Sequence, residues 1–140
     1  MQNTLSVKRA IGIIFLLFAV VHCICIIWSK LLGIDLKTAD PTKMPQSMWY
    51  VAQGATFVFS IFGAMWFFRS KEIIPNTKNG FLFGLSIVVI GFTASTLLLL
   101  PHENGWSILQ KYFSQANYWM AFGLILIGCT FVGYIKGKNE

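Results

Sequence analysis

Acidic residues are scarce in this 140-residue chain, with five Asp and Glu against eleven Lys and Arg, and none of the five lies inside a long apolar stretch. That scarcity speaks against a small proton-coupled exporter, which needs a carboxylate within the membrane. Charge of either sign is low, at 11% of residues with 56% hydrophobic, where a soluble domain carries about 25% charged residues. A soluble fold is thereby excluded. Proline is also rare, and Pro41, Pro45, Pro75 and Pro101 all fall at the edges of apolar stretches. No such stretch is broken, which argues against the interrupted helices that build substrate sites in many secondary transporters. The three cysteines form no Cys-x-x-Cys pair: Cys23 and Cys25 project from different faces of one run and Cys129 stands alone, so disulfide exchange is not expected. Phosphate-cradling glycine loops and nucleophile elbows are missing as well. The net charge of +6 comes from basic residues scattered among short loops. Anionic lipid headgroups and membrane topology account for them better than nucleic acid does, and no nucleic-acid partner is expected.

What is present is four apolar runs, residues 10–32, 48–68, 80–100 and 118–135, each near the ~20 residues that span a bilayer core. The runs are continuous rather than alternating with period two, so backbone pairing in lipid is met by helices and not by a barrel. The expected fold is an all-α membrane protein: a four-helix transmembrane bundle forming a single domain over residues 1–140. The first run follows Lys8 and Arg9 as a signal sequence would, but it exceeds the ~7–15 residues of a signal core and lacks a clean cleavage site, so it reads as a retained span. Lys8, Arg9, Arg69, Lys71, Lys78, Lys136 and Lys138 fall on one side, and Lys30, Lys37, Lys43 and Lys111 on the other. The positive-inside rule then places both termini in the cytoplasm. Trp28, Trp49, Trp106 and Trp119, with Tyr50, Tyr112 and Tyr118, form an aromatic rim on the outer side.

Polar interruptions locate where any function sits. His22, near the middle of the first run, is the one acid, base or histidine deep within a span, and an ionisable group there is a functional candidate by default. Cys25 and Ser29 share its helical face. In the second run Gln53, Thr56 and Ser60 form a polar stripe expected to face protein. Counting depth at 1.5 Å per residue, His22, Cys25, Gln53, Thr56, Ser95 and Thr96 converge on one outward-facing polar cavity, with His102 and Glu103 in the loop above it. The segment 106–113 spaces Trp106, Leu109 and Phe113 as a short interfacial helix. Gly80, Gly84, Gly91 and Ser95 make a small-residue stripe for helix packing, while Gly123, Gly128 and Gly133 drift at a spacing of five and signal packing more weakly. His22 and Cys25 with Met48 or Met120 are soft-metal donors, yet no dense ligand motif accompanies them, and no metal or cofactor is expected.

In size and layout the chain resembles small four-span bacterial families such as the DoxX-like proteins: Arg9 precedes the first span and polar residues punctuate the second. Gln53 stands where the DoxX-like second span usually brings an acid. The residues favour a non-enzymatic module in the lipid bilayer, either an accessory subunit or a binder of small molecules, with a second copy or another membrane protein as partner. The alternative is an enzyme or carrier for a quinone or lipid, with His22 or His102 moving protons.

Overall fold

The computed structural model describes residues 2–35, 44–101 and 104–138. Within them it contains five helices and no strand: α1 (Gln2–Leu31), α2 (Gln46–Phe67), α3 (Thr77–Leu99), α4 (Gly105–Phe113) and α5 (Ala116–Lys138). All except α4 are long and apolar enough to cross a membrane, by 21 to 25 residues each, or upwards of about 30 Å. The chain is thus an integral membrane protein by the length and composition of its helices. The helices overrun the apolar runs, α1 starting at Gln2 and α5 ending at Lys138. Hydrogen bonding along the axis does not stop where hydropathy does, so polar residues carry both helices onward.

Local chemistry sets the ends. Gly33, at φ +69°, closes α1, with Gly33 N–H donating to Lys30 and Ile34 N–H to Ser29. These two bonds are the Schellman pattern, which a left-handed glycine permits. Asn76 caps α3 by accepting the Asn79 N–H at 2.8 Å, directly after Pro75. At the end of α2, the Arg9 guanidinium donates to the Trp66 carbonyl at 2.8 Å, placing a cation against the negative end of a helix dipole.

α3 packs most extensively on α5 and α1 on α2, while contact between α2 and α5 joins the two pairs. α1 and α3 barely touch, as do α2 and α3. The buried core draws Ile14 and Leu17 from α1, Ala64 and Phe67 from α2, Phe83 and Ile87 from α3, and Ile125 and Cys129 from α5. The Phe67 and Phe83 rings stack at 4.6 Å.

Small residues determine how closely α3 and α5 approach. A Cβ at Gly80 would meet the Cys129 carbonyl oxygen, one at Gly133 the Asn76 carbonyl oxygen, and one at Gly137 the Pro75 carbonyl oxygen at 2.5 Å. Cys129, Gly133 and Gly137 therefore form the small-residue stripe that meets α3. Gly128 faces Ile61 and Phe57 of α2 instead, and Gly123 meets nothing within 4 Å. The spacing of five among Gly123, Gly128 and Gly133 scatters them over three environments, as a 3.6-residue turn requires. The α3 stripe likewise changes neighbour along its length. Gly84 lies against Cys129 and Leu126, whereas Gly91 holds the Phe18 ring of α1. Close contact between α3 and α5 at the end carrying the termini gives way to separation towards the end carrying α4.

Candidate functional site

That separation leaves a cavity of about 150 Å³ in the α4 half of the bundle, lined by all four long helices. α2 supplies Trp49, Ala52, Gln53 and Thr56; α3 supplies Gly91 and Ser95; α5 supplies Tyr118, Ala121 and Phe122; and Phe18 enters from α1. Gln53, Thr56 and Ser95, three of the expected residues, come together here.

Their hydrogen bonding differs. Thr56 Oγ1 donates to the Ala52 carbonyl at 2.7 Å, and Ser60 Oγ to the Thr56 carbonyl at 2.5 Å. Both hydroxyls bond back onto their own helix, as Ser and Thr commonly do in apolar surroundings. Ser60 is fully buried, and its carbonyl accepts the Cys129 thiol at 3.7 Å, so the polar stripe of α2 does face protein. The half-buried Gln53 carboxamide has no intrahelical bond of this kind, and among the described residues it makes no hydrogen bond. A carboxamide offers two donors and an acceptor, and leaving such groups unpaired away from water costs about 1–3 kcal/mol.

The remaining sequence candidates lie elsewhere. His22 is exposed on the outward side of α1 and does not line the cavity. Cys25 is half-buried against the apolar core, and Ser29 is buried with its hydroxyl donated to the Ile26 carbonyl at 2.8 Å. Thr96 is half-buried beside the cavity wall rather than in it, with a buried hydroxyl that finds no partner among the described residues. His102 and Glu103 lie outside the described residues. Among the described residues no three His, Cys, Asp or Glu side chains gather as a metal site, and the three cysteines are unbridged.

Aromatic rings stand between the cavity and the α4 end. Tyr118 and Phe122 touch edge to face at 4.5 Å, Phe113 meets Tyr118 at 5.9 Å and stacks on Phe92 at 5.2 Å. Trp119 Nε1 donates to the Phe113 carbonyl at 2.9 Å, tying α5 to the end of α4. In α4 itself Ile108 and Leu109 are buried, while Trp106 is 63% exposed. The packed face begins at Gly105, so Trp106 turns outward instead of sharing the face of Leu109. Sequence reasoning read Trp49 and Tyr118 as interfacial belt and missed them as cavity lining. The available signal was their one-turn spacing from Gln53 and Phe122.

Two larger hollows carry other polar side chains, Glu72 at one and Thr77 and Tyr134 at the other. One of about 410 Å³ at the termini end includes Asn76 and Asn79, but both carboxamides donate to the Ile74 carbonyl. Another of about 540 Å³ is an apolar groove between α3 and α5, of the kind an acyl chain fills. On a second side of Gln53, a groove of about 270 Å³ between α2 and α5 is lined by Tyr50, Gly54, Phe57, Asn117, Met120, Ala121 and Leu124 together with Gln53 itself. No family model, no curated protein and no solved structure matches the chain.

Proposed function

We propose that this is a non-enzymatic binding module of a bacterial inner membrane, holding a small neutral polar group beside Gln53 in the outer half of the bilayer, with both termini cytoplasmic. The observation that carries this reading is the unpartnered Gln53 carboxamide at a cavity formed by all four long helices. A ligand with a carbonyl or hydroxyl satisfies that amide and recovers the cost of leaving it bare. A further acceptor comes from the Thr56 hydroxyl oxygen, and Ser95 adds a hydroxyl. These groups recognise by hydrogen bonding, and among the described residues the lining holds no acid, histidine or thiol.

Quenching of tryptophan emission by a brominated monoacylglycerol in phosphatidylcholine vesicles tests the reading, because Trp49 lines the cavity. Gln53→Leu should weaken saturable quenching about tenfold, equivalent to ~1.4 kcal/mol, while leaving the unfolding midpoint equal or higher. Equal quenching by wild type and variant would remove the cavity reading.

The exposure of His22 favours a second reading, an accessory role in which a second copy covers α1. A bare imidazole at this depth faces hydrocarbon with an unmet donor and acceptor. Two copies inserted in the same direction bring His22 to His22 at equal depth, where each neutral ring can supply what the other lacks. Cys23, also exposed on α1, then reports directly. Mild oxidation of native membranes should give a disulfide-linked species of twice the chain mass that Cys23→Ser abolishes, and a strictly monomeric pattern would count against this reading.

A further inference from the structure

We infer that the ligand reaches Gln53 sideways from the bilayer, through the gap between α2 and α5, and that it is a neutral single-chain amphiphile whose tail stays in that gap. The inference rests on the cavity reading above and extends it. Gln53 and Ala121 border both the inner cavity and the α2/α5 groove, so the two hollows meet at one amide and one methyl group. At about 150 Å³ the inner cavity takes a headgroup, and little more, since an engineered cavity of that size holds one benzene. The rest of any larger ligand needs the groove.

The groove has the polarity of a lipid standing upright. Tyr50 and Asn117 lie in the opening turns of α2 and α5, at the α4 end, and Gln53 follows one turn deeper. Below them come Gly54, Phe57 and Leu124, which offer only apolar surface. A head at the level of Gln53 and a tail running towards the bilayer centre match that order. Among the described residues the lining of both hollows contains no charged side chain, which favours a neutral head over a phosphate. The groove volume of about 270 Å³ accommodates part of one chain rather than a two-chain phospholipid. Among the described residues, the Phe92, Phe113, Tyr118 and Phe122 rings stand towards the α4 end. Gly54 leaves the groove floor open, since a Cβ built there meets nothing within 4 Å.

The test uses a monoacylglycerol carrying a diazirine in its tail, incorporated with the full chain into phosphatidylcholine vesicles, irradiated, and mapped by peptide mass spectrometry. Wild-type label should fall on Phe57, Met120 or Leu124 and be displaced by unlabelled monoacylglycerol. Gly54→Phe, which fills the groove without entering the core, should reduce specific label about tenfold, as should Gln53→Leu; Gly54→Leu serves if the phenylalanine variant does not fold. Loss with Gln53→Leu alone would leave the cavity reading standing and overturn sideways entry. Loss with Gly54→Phe alone would keep the groove as a chain site and overturn its coupling to Gln53. Label unchanged in both variants would overturn both readings.

Discussion

Replacing Gly133 with leucine should lower the thermal midpoint of the detergent-solubilised chain by about 10 °C, corresponding to about 3 kcal/mol for a domain of this size. A Cβ at this position meets the Asn76 carbonyl oxygen, with the Asn76 carbonyl carbon and the Gly80 Cα each 3.1 Å away. All three are backbone atoms, so no side-chain rotation relieves the overlap. Asn76 is also fixed, because its carbonyl accepts the Gly80 N–H at 3.0 Å and its side chain caps α3. The helices must therefore separate, which forfeits the close packing that holds helices together in lipid, where hydrophobic attraction between them is weak. Gly12 provides the control: a Cβ there meets nothing within 4 Å, and Gly12→Leu should change stability by less than about 0.5 kcal/mol. Matching losses in the two variants would mean that added side-chain bulk, not contact between α3 and α5, sets the effect, since leucine is the better helix former at both sites.

Phe83→Ala should cost about 3 kcal/mol, at the low end of the usual range for removing a buried phenylalanine. The ring is 2% exposed, stacks on Phe67 at 4.6 Å and lies under Gly63. In a bilayer the unfolded reference is lipid rather than water, so transfer from water contributes little to this cost. Lost dispersion contacts and the cavity left behind make up the rest. Phe15, 68% exposed on α1, already faces the surroundings it would meet alone, and Phe15→Ala should be nearly silent. Denaturation of both variants by titration with sodium dodecyl sulfate checks the contrast. Similar midpoints for the two would contradict the burial of Phe83.

Part of this architecture is legible in the sequence because lipid imposes simple demands. The four apolar runs and the helix at 106–113 follow from length and periodicity, and the Gln53, Thr56 and Ser60 stripe faces protein because polar side chains avoid hydrocarbon. The rotation of α1 is harder to read. Every face of that helix is apolar, so hydropathy does not choose which one turns inward; packing chooses Ile13, Ile14, Leu17 and Val21. His22 then falls outside, although Ser29, seven residues on and nearly the same helical face, is covered. Partnering of small residues was obscured for a different reason. Gly137 lies beyond the last apolar residue of its run, so the Gly133-to-Gly137 step onto Pro75 and Asn76 sits where the hydropathy signal has already ended.

The order of neighbours also bears on biogenesis. α1 and α2 precede α3 in the chain and pack on each other, but α3 touches either only slightly and finds its principal neighbour in α5. During synthesis, α3 therefore waits in the bilayer with the Gly80 and Gly84 groove bare until the last helix arrives. The 23-residue α5 joins α3 on one side and α2 on the other, so a chain cut before residue 116 keeps the α1 and α2 pair but leaves α3 without its principal neighbour.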